Sequence, residues 1–286
     1  MRDKLNKYAE LIGKIFGTQR VYNNQSILDY LQGDMFKDGL RRGLYEEVNK
    51  VINSQSEDDI DKYKGCFICG NGCKTSRKDV PFWINNLDNK IMIIAEEPGA
   101  KPNIGLATPF AADKFLTPEG SNLPEYEYLC SEEGLGLNVE DLYITDALKC
   151  FCSKNKQCIN YCVEHLKKEI YIIRPDKILI MGGLALESLK VMNNIKIIHN
   201  SEELNLNDWC VSKGKKNQIS QLHGEFAHCR IYFDKEFFDT RILFMLHPSP
   251  MSGKYWKKVV NEITGNFKSI KEELRRLGDI IRNAMK

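Results

Sequence analysis

The sequence predicts an α/β protein in three layers, αβα, with helices on both faces of a central, mainly parallel four-stranded sheet and a helical extension at the N-terminus. Four short apolar runs, Ile91–Ala95, Leu142–Thr145, Ile178–Met181 and Ile242–Leu246, have the length and unbroken hydrophobicity of strands buried on both faces. Helical patterns lie between them, clearest at Cys162–Ile173 and Leu184–Met192. Strands that alternate with helices pair in parallel, because a crossover helix returns the chain to the same end of the sheet.

Residues 1–60 form the extension. Leu5, Ala9, Ile12 and Ile15 recur at helical spacing, and Leu28, Leu31, Leu40 and Val48 continue the theme without strand-like runs. The polar, acidic stretch Gln55–Asp61 reads as a linker into a second unit, residues 61–286, which holds the four strands. In parallel sheets ligands gather in the loops beyond the carboxyl ends of the strands. Those loops read AEEPGAKP, TDALKC, GGLALES and HPSPMSGK, and three of the four are rich in groups that do chemistry or hold metals. A last helical stretch, Tyr255–Lys286, carries many Lys and Arg and is expected to pack back on the sheet.

Composition narrows the function classes. Hydrophobic residues make up 42% of the chain, mean hydropathy is −0.40 and the net charge is +2. With so small a net charge, a nucleic-acid partner would have to be held by a local basic face. The first residues, MRDKLNKYAELIGKIF, are too charged for a secretory signal, and no apolar run approaches the ~18 residues of a membrane span. A cytoplasmic protein with no membrane partner is expected, and a monomer. In that compartment a disulfide framework is a poor explanation for ten cysteines. Seven fall in two groups, Cys66, Cys69 and Cys73, then Cys150, Cys152, Cys158 and Cys162, which points to a metal; Cys130, Cys210 and Cys229 are scattered, as packing residues would be.

Two loops follow their strands with no residue between. Glu96-Glu97-Pro98-Gly99 sets a carboxylate at the sheet edge, before a sharp turn that exposes backbone N–H groups. His247-Pro248-Ser249-Pro250-Met251 sets a histidine there, able to donate to an oxygen that gains charge. Either could be a plain structural turn. The two prolines argue for a loop held rigid for a purpose.

Together these loops resemble the uracil-DNA glycosylase superfamily, and most closely its iron–sulfur family four. Ala95-Glu96-Glu97-Pro98-Gly99 answers the family's Gly-Glu-Ala-Pro-Gly, and Pro109-Phe110 its Pro-Phe pair. Tyr143-Ile144-Thr145-Asp146 followed by Lys149-Cys150 is similar to its Tyr-Ile-Thr-Asn and Lys-Cys. Cys162 and Pro175 keep its spacing from the last cysteine to the proline before the next strand, and HPSPMS is similar to its HPSPLS. The resemblance spans roughly residues 63–265 and implies a uracil-DNA glycosylase-like fold. It also implies an enzyme that cuts the N-glycosidic bond of a flipped-out base in DNA.

The resemblance sorts the residues as well. It implies a [4Fe–4S] cluster on Cys66, Cys69, Cys150 and Cys162. Cys73 rivals Cys66, Cys152 and Cys158 remain spare, and four thiolates would hold a structural zinc equally well. It implies that His247 donates to the base O2 as the base leaves as an anion, and that Glu96 stabilises the cationic sugar or positions water. Phe110 would stack on the base, Pro98 and Gly99 would bind substrate, Ser249 and nearby backbone N–H groups would grip phosphates, and Met251 would fill the hole in the duplex.

Two departures from the family bear on the substrate. Asp146 stands where the family has asparagine, whose side chain both donates to uracil O4 and accepts from N3–H. An ionised aspartate only accepts, which suits the amino group of cytosine. Lys101-Pro102-Asn103 replaces an acidic run that helps exclude a C5 substituent. A cytosine-type base, C5-modified as in some phage DNA, is therefore expected beside uracil, leaving repair and defence both open. Two other classes compete. One is a non-catalytic nucleic-acid-binding module, which would not need Glu96 and His247 together. The other is a zinc-stapled α/β hydrolase, for which Gly182-Gly183-Leu184 supplies no nucleophilic serine.

Overall fold

The structure is a computed structural model that describes residues 4, 7, 8 and 11, the segments 77–79, 82–83, 87–88, 90–97, 105–107, 115–116 and 122–123, scattered positions from 129 to 141, and then 142–150, 157–215, 218–247 and 270–283. In chain order the elements are β1 (Arg77–Asp79), β2 (Phe82–Trp83), β3 (Ile91–Ala95), β4 (Gly105–Ala107), β5 (Phe115–Leu116), β6 (Asn122–Leu123), β7 (Leu142–Asp146), α1 (Gln157–Ile173), β8 (Lys177–Met181) and α2 (Gly183–Val191). They continue with β9 (Ile195–His199), β10 (Glu202–Leu204), α3 (Leu206–Ser212), α4 (Ile219–Leu222), β11 (Phe226–Phe233), β12 (Glu236–Met245) and α5 (Ile270–Asn283).

The main sheet runs β10-β9-β11-β12-β8-β3-β7-β2. Its four middle strands, β12, β8, β3 and β7, are parallel, and they are the four apolar runs of the sequence. The sheet is wider than the expected four strands. β2 adds antiparallel to β7 on one side, and β11, β9 and β10 add antiparallel beyond β12 on the other. β11, β9 and β10 escape a search for apolar runs because they are only half covered: β11 alternates buried Ala227, Cys229 and Ile231 with His228 and Arg230. β12 is likewise longer than its apolar half, since β8 pairs only with Arg241–Met245 and the first half forms a ribbon with β11 alone.

Both faces of the parallel core are covered, for a reason visible in the alternation along each strand. Ile91, Ile93, Leu142, Ile144, Leu179, Met181, Leu243 and Met245 point to one face, where Leu274, Leu277 and Ile281 of α5 cover them. Met92, Ile94, Tyr143, Ile178, Ile180, Ile242 and Phe244 point to the other, against α1, α2 and α3. α1 contributes Val163, Leu166, Ile170 and Ile173, a stripe at helical spacing. The three-layer αβα class follows. Cys210 and Cys229 are fully buried in this core, where burial pushes both thiols up from their ordinary acidity.

At the N-terminus Lys4, Lys7, Tyr8 and Leu11 are helical. Tyr8 is fully buried in the main core cluster, with its ring edge-on to Tyr143 at 6.0 Å and the two hydroxyls 3.0 Å apart. Lys4 Nζ donates to the Leu87 carbonyl at 2.6 Å. The rest of the extension lies outside the described residues. Among the described residues no helix is long and apolar enough to cross a membrane.

Candidate active site

From β3 the chain crosses to β7 on one side, then returns over β3 to β8 and β12 on the other. The order of travel reverses between β3 and β8, and a crevice opens at the carboxyl ends of such a pair. Four residues mark those ends, in spatial order His247 after β12, Gly182 after β8, Glu96 after β3 and Asp146 closing β7. Every one leaves a strand buried throughout its final residues, so the backbone that presents it is fixed by the core.

Glu96 is half-buried and its carboxylate is anchored. Oε1 accepts a hydrogen bond from Leu184 N at 3.0 Å, in the first turn of α2. The contact is possible only because residue 182 is glycine. Its φ is +100°, a conformation that L side chains rarely adopt, and a Cβ there would lie 2.5 Å from Glu96 Cδ and Cγ.

The turn after β7 is tied to the same loop. Ala147 N donates to Ala95 O at 2.9 Å and Leu148 N to Glu96 O at 3.0 Å, so Asp146 and Glu96 leave adjacent strands side by side. Asp146 is 4% exposed. Beneath it lies a buried ionic group. Lys149 Nζ donates to Asp146 O at 2.6 Å, to Thr145 Oγ1 at 2.5 Å and to Glu169 Oε2 at 2.8 Å, and neither Lys149 nor Glu169 has an exposed side chain. His165 Nε2 lies 3.4 Å from the other Glu169 oxygen. Burial pushes the Glu169 carboxyl up, but Lys149 and His165 outweigh it and its net shift is downward. Tyr143, buried and close to Glu169, is held well above its ordinary range and keeps its phenolic proton.

His247 is half-buried and follows a strand end that is cross-linked to β8, since Gly182 N donates to Met245 O at 3.0 Å. Two strand spacings, roughly 10 Å, separate the backbones of β3 and β12. β8 runs between them, with Gly182 at its end.

Two of the four expected thiolates come together. Cys150 and Cys162 are 1% and 4% exposed and share a buried cluster with Leu148, Ile159 and Leu184, against which Cys158 packs. Leu184 therefore touches the cysteine cluster with its side chain while its N–H holds Glu96. Sheltered thiols on a loop and on a facing helix suit a cluster or a structural zinc by donor chemistry. Among the described residues no group of three or more His, Cys, Asp or Glu gathers to hold a metal.

Cys66, Cys69, Pro98, Gly99, Phe110, Ser249 and Met251 lie outside the described residues, as do the alternatives Cys73 and Cys152. Sequence reasoning missed Gly182 and Leu184 as site residues. Their signal was a Gly-Gly pair between a buried strand and a helix, which marks a helix N-terminus that a neighbouring group can approach. It also noted Lys149 only as part of a motif. A lysine one residue before a buried cysteine gives no hint of a buried carboxylate twenty residues on.

The family model described as the uracil DNA glycosylase superfamily matches residues 82–273, about two thirds of the chain. A curated relative, the type-4 uracil-DNA glycosylase of Archaeoglobus fulgidus, is 32% identical over 118 residues, which cover 39% of this chain and 52% of the relative. The chain thus spans about half the length of the curated relative it matches.

Proposed function

The chain belongs to the uracil-DNA glycosylase superfamily, and from that premise we propose that it is a DNA glycosylase that hydrolyses the N-glycosidic bond of a flipped-out pyrimidine and leaves an abasic site. One observation carries the proposal: Glu96, Asp146 and His247 close three parallel strands around the point where strand order reverses. A carboxylate and a histidine at the strand ends of one crevice suit a dissociative reaction, in which the sugar becomes cationic and the base anionic.

In that reaction His247 donates a hydrogen bond to the base O2, where negative charge grows as the bond breaks. A donor aimed at developing charge acts mainly in the transition state, so it accelerates the chemical step more than it tightens binding. Glu96, oriented through Oε1 by Leu184, faces the sugar with its negative charge and positions the attacking water. Asp146 reads the edge of the base; as an acceptor it favours the C4 amino group of a cytosine-type base, with uracil the other candidate. Phe110 stacks on the base, Pro98 and Gly99 shape the pocket, Ser249 binds phosphate and Met251 takes the place of the extruded base.

The buried thiols of Cys150 and Cys162, with Cys66 and Cys69, would hold a [4Fe–4S] cluster or alternatively a zinc ion. Such a group would tie the segment before β3 to the loop after β7. The chain's own residues carry the chemistry.

A second reading has one observation in its favour. Glu96 is satisfied as a cap on α2, which a binding module that keeps the fold would also need. Incubation with duplexes carrying uracil, cytosine or 5-hydroxymethylcytosine separates the two. Free base and abasic sites are expected from the glycosylase, and binding without either from the module.

A further inference from the structure

We propose that His223 is a positioning residue for His247, acting through the peptide bond between Met245 and Leu246. The inference rests on the glycosylase reading and adds a residue that none of the site motifs contains.

The antiparallel ladder between β11 and β12 runs on to Gly224 N–Phe244 O at 2.8 Å and Phe244 N–Glu225 O at 3.1 Å. Leu246 N is the next donor of β12 on that side, but the partner chain has turned away into α4. The His223 ring fills the vacancy, and its Nδ1 accepts from Leu246 N at 3.0 Å. The carbonyl of the same peptide, Met245 O, accepts from Gly182 N at 3.0 Å. The peptide plane one residue before His247 is therefore gripped at both polar ends, by β8 on one side and by His223 on the other.

An acceptor at Nδ1 places the proton of a neutral ring on Nε2. That atom faces Glu273 Oε1 at 3.2 Å, and neither side chain is exposed. Glu273 is in turn bound by Arg276, with Nε 2.7 Å from Oε2 and Nη2 2.6 Å from Oε1. Arg276 reaches this position over Gly224, where a Cβ would lie 2.4 Å from its Nη2 and where φ is +78°. A chain of contacts thus runs from α5 through Glu273 and His223 to the backbone that carries His247. This chain fixes a tautomer, and a fixed tautomer fixes an acceptor.

The test combines spectroscopy with kinetics. Nitrogen-15 shifts of the wild type should show His223 protonated at Nε2, and the Leu246 amide should exchange slowly. His223→Leu should speed that exchange and lower the single-turnover rate of base release about 10- to 100-fold without weakening DNA binding. His223→Asn, whose Oδ1 stands where Nδ1 stood, should recover most of the rate. A melting curve would show whether His223→Leu remains folded. An Nδ1-protonated His223, or an unchanged rate in a folded His223→Leu, would overturn the positioning role. A wild type that releases no base overturns the glycosylase reading instead, a failure visible before any variant is made.

Discussion

The carboxylate of Glu96 occupies the space that a side chain on residue 182 would need: a Cβ on Gly182 would stand 2.5 Å from Glu96 Cδ and 2.6 Å from Oε1. The two residues leave neighbouring strands, and the bare backbone of one makes room for the other to reach Leu184 N. Gly182→Ala should therefore do two kinds of damage. The positive φ costs roughly 1–3 kcal/mol in stability, and the displaced Glu96 slows base release. Glu96→Gln provides the contrast, because its amide oxygen can still accept from Leu184 while the charge is gone. A melting temperature close to wild type with a much slower chemical step is expected for Glu96→Gln. Loss of stability without loss of rate would make Glu96 a helix cap and nothing more.

The buried Lys149–Glu169 pair predicts strong coupling between two residues on different elements. Lys149→Met leaves the Glu169 carboxylate in the core without its main cation and should cost about 3–5 kcal/mol. Lys149→Met combined with Glu169→Leu should be much less damaging than the single change, which denaturant melts of the three proteins would show.

Acidity tests the same pair and its counterpart at α5. Glu169 is shifted below its ordinary range by Lys149 and His165 against the upward push of burial, and Glu273 likewise by Arg276 and His223. A carboxyl whose folded value lies below its unfolded one binds fewer protons folded than unfolded. The stability it adds is complete above the unfolded carboxylate range and drains away as pH falls through the folded value. The contribution of these two carboxyls to the unfolding free energy should thus hold steady from neutrality to the upper edge of that range and then decline. The decline should be shallower in the Lys149→Met, Glu169→Leu double variant.

The four parallel strands could be read from residues because burial on both faces leaves an unbroken apolar run, as in IMIIA and KILIM. β9, β10 and β11 could not, since Lys196, His228 and Arg230 alternate with buried apolar neighbours and β10 opens on the exposed pair Glu202 and Glu203, which blurs the signal. Glu96, Asp146 and His247 were legible because each directly ends such a run. The partners that fix them were not: Leu184 acts through its backbone N–H, Gly182 through a missing side chain, and His223 through a pairing that only strand order creates. Side-chain chemistry is written in one dimension, whereas backbone donors and empty space appear only once the strands are ordered.

For the metal, aerobically purified protein should be brown and contain about four irons per chain. Replacing Cys150 or Cys162, both inside one buried cluster, should damage folding more than replacing Cys210 or Cys229. Colourless protein with one tightly bound zinc would sink the iron–sulfur assignment and leave the ligands in place.

Asp146 predicts substrate choice. The wild type should prefer a base with an amino group at C4, and Asp146→Asn should shift preference toward uracil by restoring a donor as well as an acceptor. Sites built on such polar pairing discriminate by ~10⁴ or more when the pairing is spoiled. Equal uracil-to-cytosine selectivity in the two proteins, with a C5-substituted cytosine included, would show that another residue reads the base.

The most direct measurement is the single-turnover rate of base release from the preferred duplex by the wild type and by His247→Ala, with DNA affinity measured beside it. If His247 donates to charge that develops as the glycosidic bond breaks, the wild type releases free base and leaves an abasic site. The variant then does so on the order of 100- to 1000-fold more slowly, with DNA binding nearly unchanged. Release at the same rate by both proteins would contradict the assigned site, and no release by the wild type from any of the three duplexes would contradict the glycosylase function itself.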